Sequence, residues 1–119
     1  ADYTPAQTAQ GKIKKAEGDM AIPLKRTRDI LKWLGEHRRP NQIICGFSME
    51  TENLLDNSKK KLISKNCDMI CANSLSSEGS GFGSDTNVIT LITEGGMESL
   101  EKMSKDEAAH IILDRLIKL

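Results

Sequence analysis

Aromatic side chains and net charge are what this sequence most clearly lacks. Only 3% of its 119 residues are Phe, Trp or Tyr, which argues against the stacking platforms that bind single-stranded nucleic acid. Its 17 basic and 17 acidic residues cancel, so no bulk field attracts nucleic acid or an anionic membrane. Any phosphate binding must therefore come from local clusters of charge.

Long apolar runs and paired cysteines are missing as well. No stretch approaches the roughly 18 apolar residues of a membrane span, and no signal peptide is visible. Cys45, Cys67 and Cys71 form no Cys-x-x-Cys pair, so we interpret them as small buried hydrophobic residues. We expect one domain in a cytoplasmic protein. The abrupt start at Ala1 predicts that the chain is part of something longer.

The stretch 46–51 is the expected organising point of the fold. Residues 42–47 predict a buried strand that breaks at Gly46, and residues 52–65 have the spacing of a helix that Glu50 and Thr51 start. A second buried strand at 68–72 completes a βαβ unit with parallel strands. Because ligands in such sheets bind beyond the carboxyl ends of the strands, this stretch is the first candidate for a binding edge.

Further elements are predicted on either side of this unit. Residues 12–15 and 20–24 flank a turn and predict a β-hairpin arm that needs something to pack on, a partner subunit being one option. A helix is predicted at 28–38, a strand at 87–93 and an antiparallel return at 97–102. Ser104–Glu107 fits a capping box ahead of a last helix. Its apolar stripe, which we expect to lie on the sheet, is Ala109, Ile112, Leu113, Leu116 and Ile117.

The lysines supply the clearest candidate chemistry. Lys61 and Lys65 are spaced i, i+4, so they share a helix face and could grip a phosphate together. The alternative is a solvated face whose cations complement the helix dipole. These lysines lie toward the end of the helix away from the binding edge, so another subunit is one way to complete a site there.

Other candidates are weaker. The loop 79–85 is rich in glycine but lacks the Gly-Lys-Ser/Thr ending of a phosphate loop, so it is interpreted as a turn. Asp2, Asp29 and Glu50 are carboxylates that could hold magnesium, although their spacing lends no support. His37 and His110 are interpreted as structural, and no nucleophile–base constellation is visible.

Several segments together resemble a known enzyme family. They cover nearly the whole chain in order: residues 1–5, 12–15, 24–31, 46–51, 61–66, 70–73 and 81–87. They look like bacterial phosphopantothenoylcysteine synthetase, also called phosphopantothenate–cysteine ligase. The resemblance is to the C-terminal half of the ligase domain in the bifunctional decarboxylase/synthetase.

The resemblance implies a three-layer α/β, Rossmann-like half-domain with a mixed, partly parallel sheet and a β-hairpin dimerisation arm. It implies that residues 1–119 belong to a ligase that joins 4′-phosphopantothenate and L-cysteine through an acyl-cytidylate in coenzyme A biosynthesis, releasing CMP and pyrophosphate. The implied co-substrate is CTP and the implied metal is Mg²⁺. FMN is expected only if a decarboxylase half is fused upstream, and the expected assembly is a homodimer, or a higher oligomer through such a half.

The resemblance also implies roles for individual residues. Lys12 would be catalytic, and Asp2 would lie near the ribose or the metal. The full set of implied nucleotide contacts is Asp2, Lys12, Arg28, Asp29, Ile30, Leu31, Phe47, Lys61 and Lys65. Arg28 and Ser48 depart from the proline and alanine that are common in the family. The isolated chain is expected to be inactive, and the alternative is a non-catalytic nucleotide-binding or dimerisation module with the same fold.

Overall fold

The structure, a computed structural model, describes residues 1–50, 52–74 and 83–119. It divides into two units, Ala1–Ile30 and Leu31–Leu119. Within the described ranges, no helix is long and apolar enough to cross a membrane.

The first unit is held by two short antiparallel strands, β1 (Tyr3–Pro5) and β2 (Leu24–Arg26). The ladder continues at both ends, because the Ala6 N–H donates to the Pro23 carbonyl at 2.8 Å and the Thr27 N–H donates to the Asp2 carbonyl at 2.9 Å. The chain between the strands turns at Gly18, whose φ is 94°.

The predicted hairpin at 12–15 and 20–24 is wrong in its position. No strand lies in 12–23, and the paired strands stand at the base of the arm. Ile13, Met20 and Ile22 are 64%, 68% and 61% exposed. An isolated two-stranded ribbon with no core to cover its apolar face is marginal, which explains why alternation alone did not produce a ladder here.

The second unit is built on a four-stranded mixed sheet. Along the chain its strands are β3 (Cys45–Glu50), β4 (Met69–Ser74), β6 (Ile89–Thr93) and β7 (Gly96–Ser99), and this is also their order in the sheet. Strands β3 and β4 are parallel, and the other neighbours are antiparallel. A small second ladder joins β5 (Thr86–Asn87) to β8 (Met103–Ser104).

Three helices complete this architecture: α1 (Ile30–Glu36), α2 (Leu54–Ser64) and α3 (Lys105–Leu116). Leu62 of α2 packs with Ile70, Ala72 and Ile92 on one sheet face, where Leu31 of α1 joins them. On the other face, Ala108 and Ile112 of α3 pack with a second core cluster that includes Met69, Cys71, Ile89 and Leu91. The predicted three-layer α/β fold with a mixed, partly parallel sheet is confirmed.

The first strand of the βαβ unit lies three residues later than predicted. It runs through Gly46 to Glu50 and does not break at the glycine. A Cβ on Gly46 would lie 2.6 Å from Leu31 Cδ2 and 2.9 Å from Ile70 Cδ1. Gly46 is therefore a point of close helix–sheet approach and not a turn, and Glu50 ends the strand where a helix start was predicted.

A half-buried ion pair lies just before the start of this strand. The Arg38 guanidinium Nη2 donates to both oxygens of the Asp68 carboxylate, at 3.0 and 2.8 Å, and to the Gln42 carbonyl. The same carboxylate accepts the Ile44 N–H at 2.8 Å. The segment before β3 is thereby occupied by side-chain contacts, so residues 42–44 do not enter the ladder.

The last helix has the predicted start but a different buried face. Ser104 Oγ accepts the Glu107 N–H and the Glu107 carboxylate accepts the Ser104 N–H, which confirms the capping box. Of the predicted stripe, Ile112 is buried, whereas Leu113 and Ile117 are 57% and 82% exposed. Ala108 takes the position expected for Ala109, so the stripe was displaced by one residue at its start.

Two other predictions need comment. The strand predicted at 87–93 is interrupted at Val88, which separates β5 from β6. Most of the glycine-rich loop 79–85 lies outside the described residues, as does Thr51. Of that loop the structure describes only Gly83, Ser84 and Asp85, and Gly83 has a φ of 78°.

Candidate functional site

A polar cluster stands at the carboxyl end of β3, where the sequence predicted a binding edge. Lys61 of α2 points its ammonium back toward the strand and donates to Ser48 Oγ at 3.0 Å and to Glu50 Oε1 at 2.6 Å. Asn57, one turn earlier on α2, donates to Glu50 Oε2 at 3.4 Å. We call Ser48, Glu50, Asn57 and Lys61 the Lys61 cluster.

Strand and helix geometry together produce this cluster. Ser48 and Glu50 are two residues apart on β3, so both side chains leave the same sheet face, and α2 packs on that face. Side chains on a helix lean toward its N-terminus, which lets Lys61 reach the strand end from two turns inside α2. Lys61 is therefore available at this edge without a second subunit.

The contacts within the Lys61 cluster favour the ionised form of Glu50. The hydrogen bond from Lys61 is the main cause that lowers the pKa of Glu50, and the charge of Lys61 and hydrogen bonds from Ser48 and Asn57 act in the same direction. Glu50 is thus ionised at neutral pH. A lysine ammonium has three N–H donors, and described residues take two of them. With 40% of the Lys61 side chain exposed, one donor remains for an anionic oxygen.

Lys65 follows Lys61 by one turn at the end of α2. It is the C-cap residue of α2, and its own N–H donates to the Lys61 carbonyl at 2.9 Å. The predicted i, i+4 relation between the two lysines is therefore present in the backbone. The pairing of their ammonium groups on one phosphate stays a prediction.

Phe47 lies on the opposite sheet face from the Lys61 cluster. Its side chain is 67% exposed and borders a groove of about 460 Å³ whose other walls come from β3, β5, β6 and α3. The groove is lined mainly by apolar side chains, among them Ile112 and Leu113. Phe47 and Lys61 were predicted to contact one nucleotide, but the alternation of β3 separates them.

Three of the predicted residues meet in the first unit. Asp2, Arg28 and Asp29 border a pocket of about 330 Å³ beside the end of the β1–β2 ladder. This pocket carries charges of both signs. Lys12 lies in the exposed arm between those strands, and the structure gives it no contact that bears on its predicted catalytic role.

The start of α1 gives little support to the predicted nucleotide contacts of Ile30 and Leu31. Ile30 is the first residue of α1 and is 69% exposed. Leu31 packs in the core of the second unit. Among the described residues, no group of three or more His, Cys, Asp or Glu side chains could hold a metal ion, so the predicted role of Asp2 in a metal site gains no support.

Sequence reasoning found Lys61 but missed its partners as a set. The sequence marks Ser48 only as a departure from a family pattern and Glu50 as a magnesium candidate and a helix start, and it does not single out Asn57. The signal available in the sequence was the two-residue step from Ser48 to Glu50 in a strand, followed by a helix that starts at Leu54. That signal can be used only if β3 is known to extend to Glu50, because Ser48 and Glu50 share a sheet face only when both belong to the strand.

Comparison with known proteins places the chain in a family. Residues 1–119 match the model for the "DNA/pantothenate metabolism flavoprotein C-terminal domain". A cysteine/cysteine sulfinic acid decarboxylase from an unknown prokaryote is 41% identical over 120 residues, covering 100% of this chain and 33% of that protein. The coenzyme A biosynthesis bifunctional protein CoaBC of Bacillus subtilis (strain 168) is 42% identical over 120 residues, covering 100% of this chain and 29% of that protein.

A solved structure agrees with these matches. The crystal structure of the C-terminal domain of a coenzyme A biosynthesis bifunctional protein CoaBC is 38% identical, with a TM-score of 0.67, and covers 80% of this chain and 43% of that chain. The chain thus spans about a third of the length of the two curated relatives.

These findings contradict the predicted recognition, function and enzyme class. The resemblance was assigned to the ligase half of a synthetase, but the matching family is described as a flavoprotein domain, and one relative is named as a decarboxylase. CTP and Mg²⁺ gain no support, and the alternative of a non-catalytic module fits no better. Coenzyme A biosynthesis and a flavoprotein are supported.

Proposed function

This chain belongs to the DNA/pantothenate metabolism flavoprotein C-terminal domain family, and we propose that it is a phosphate-binding part of a multifunctional flavoprotein of coenzyme A biosynthesis. The name of the Bacillus subtilis relative supports the pathway. The name of the decarboxylase relative supports decarboxylation of a cysteine-derived carboxylate by the whole protein. We place the protein in the cytoplasm, where thiols such as its three free cysteines stay reduced.

The Lys61 cluster carries the proposal for this chain. It stands at the carboxyl end of a parallel strand pair, which is where α/β sheets bind their ligands. Glu50 and Ser48 hold the Lys61 ammonium in place, so little side-chain entropy is left to lose on binding. The ligand class is a phosphorylated compound of the pathway, either a nucleotide or a phosphorylated pantothenate derivative.

A purely structural role is the competing explanation. The Lys61–Glu50 pair is neutral as a whole, and an ion pair that joins a helix to a strand needs no ligand. The two explanations differ in what they predict for the exposed face of Lys61. A structural pair loses stability when Lys61 is replaced, whereas a binding site loses affinity for the phosphate group in particular.

Calorimetric titration of the full chain with 4′-phosphopantothenate and with unphosphorylated pantothenate separates the two explanations. We expect a phosphorylated compound to bind and pantothenate to bind at least tenfold more weakly. Lys61→Gln should weaken binding by tenfold or more, because a hydrogen bond to a charged group contributes about 1.5–3 kcal/mol. Lys60→Gln, an exposed neighbour on α2, is the matched control and should bind normally.

Two results would contradict the proposal. One is equal affinity for pantothenate and its phosphate, which would remove the phosphate from recognition. The other is unchanged binding by Lys61→Gln together with a lowered melting temperature, which would make the cluster structural.

The described residues do not fit the flavin that the family name implies. The groove beside Phe47 has a volume within the usual range for small-molecule sites, but Asn87 and Lys105 are the polar residues in its wall. That leaves few groups for the polar edge of a flavin ring, and the Lys61 cluster faces the other side of the sheet. The flavin is therefore proposed for the whole protein, and no step is assigned to it here.

We also propose that the arm between β1 and β2 makes a homodimer. Its exposed apolar side chains, Ile13, Met20 and Ile22, support this assignment. Because the arm has no internal ladder, a second copy would supply the surface that its alternating sequence needs.

A further inference from the structure

Two cysteine thiols meet on the face of the sheet that α3 covers. Cys45 of β3 and Cys71 of β4 are free thiols whose Sγ atoms lie 3.6 Å apart. Cys71 is fully buried, while Cys45 is half-buried and borders the groove beside Phe47. A reagent in this groove therefore reaches Cys45 first and Cys71 through it.

The strand register argues against a direct disulfide. Cys45 is paired with Met69, and Cys71 is paired with Phe47, so the cysteines are diagonal neighbours. Strands about 4.8 Å apart and a two-residue step of about 6.6 Å place their Cα atoms roughly 8 Å apart. Disulfides span Cα distances of about 4.4–6.8 Å, so a direct bond would require the backbone to move.

A single atom bonded to both sulfurs fits the same geometry. With bonds of about 2.3 Å, the length that zinc makes to cysteine sulfur, sulfurs 3.6 Å apart subtend roughly 100° at the shared atom. That is close to the angle of a pyramidal three-coordinate centre. Thiolate pairs of this kind select soft ions over hard ones.

The two thiols also differ in pKa and in accessibility. A hydrogen bond joins the two sulfur atoms, and it is the main cause that lowers the pKa of Cys45 and raises the pKa of Cys71. Cys45, the more accessible thiol, therefore supplies the first thiolate. Cys67 packs against the core cluster on the other face of the sheet, and burial, with the charge of Cys45 acting in the same direction, raises its pKa.

We propose that Cys45 and Cys71 form a dithiol site for trivalent arsenicals. In the reaction with an organoarsenic oxide, two arsenic–sulfur bonds form and two S–H bonds break. Both protons leave with the arsenic-bound oxygen as one water molecule, and arsenic stays trivalent. Cys45 leaves β3 on the same face as Phe47, so the adduct forms on the α3 side of the sheet, opposite the Lys61 cluster.

The test uses phenylarsine oxide on the full chain, read by native mass spectrometry. We expect one adduct per chain in the wild type and in Cys67→Ser, reversed by 2,3-dimercaptopropanol but not by the same concentration of a monothiol. Cys45→Ser and Cys71→Ser should bind at least tenfold more weakly, because each keeps a single sulfur. Thermal melting checks that each variant is folded.

A second measurement does not depend on the variants. In the wild type, phenylarsine oxide should protect Cys45 and Cys71 from alkylation by iodoacetamide after unfolding, while Cys67 stays reactive. The proposal is overturned if no adduct forms, if the adduct persists in folded Cys45→Ser, or if Cys67 is the protected residue.

Discussion

Replacing Gly46 with alanine tests the close approach between α1 and β3. The new Cβ would lie 2.6 Å from Leu31 Cδ2 and 2.9 Å from Ile70 Cδ1, shorter than packed carbon atoms tolerate. The Ile70 side chain is fully buried and has little room to move. The relief must therefore come from Leu31 or from a shift of the helix.

The size of the effect follows from two opposing contributions. Overpacking of a core typically costs about 1–3 kcal/mol. Replacing glycine inside a strand recovers roughly 0.5–1 kcal/mol, because alanine loses less backbone freedom on folding. We expect Gly46→Ala to lower the free energy of unfolding by about 1–2 kcal/mol and the melting temperature by on the order of 4–8 °C.

Thermal unfolding followed by circular dichroism measures this on the full chain. The matched control is Gly95→Ala, where the nearest atom to the new Cβ is Thr93 Oγ1 at 3.8 Å, so the change should stay within about 0.5 kcal/mol. Adding Leu31→Ala to Gly46→Ala should give a coupling energy of about 0.5–3 kcal/mol. Equal melting temperatures for Gly46→Ala and Gly95→Ala would refute the reasoning.

The remaining predictions concern the ion pairs and the arm. Asp68→Asn should lower the free energy of unfolding by about 1–3 kcal/mol in a urea titration, because it removes the charge that the half-buried Arg38 guanidinium bonds; no change in the midpoint would contradict this. The pKa of Glu50 is lowered on folding, so its contribution to stability is complete at neutral pH and is lost as pH falls below about 4.5 toward the folded value. Glu50→Gln should flatten the dependence of melting temperature on pH in that range, and an unchanged slope would exclude the effect. Ile22→Glu should shift the sedimenting species from dimer to monomer, whereas Ile63→Glu, at another exposed isoleucine, should not; a wild-type monomer would defeat the dimer proposal.

Local patterns predicted the elements but not their limits. The capping box at Ser104 was correct because the two residues that form it lie within one turn of helix. The start of β3 was wrong because Arg38, Asp68 and Ile44 are bonded together, and two of these residues are 30 positions apart. Such a contact changes where a strand can begin without changing the local pattern of hydrophobic residues.

The same limit applies to the function. The motifs that span the chain were sufficient to indicate coenzyme A metabolism, and the family match supports that. They were not sufficient to identify the reaction. The predicted reaction is that of a CTP-dependent ligase, and the comparisons contradict it. The chain covers only 33% and 29% of the two relatives described above, so its motifs compare no more than that part of either protein.

The alternation of β3 constrains any ligand at the edge that this strand forms. Phe47 and Ser48 are consecutive, so their side chains leave opposite faces of the sheet. A ligand that uses both the Phe47 groove and the Lys61 cluster must therefore pass around the carboxyl end of the strand, beside Glu50. For such a ligand, Phe47→Ala and Lys61→Gln would each weaken the binding of the same phosphorylated compound in a calorimetric titration. If the groove and the Lys61 cluster bind different ligands, only Lys61→Gln will lower the affinity for the phosphorylated compound, and the groove will be a second site.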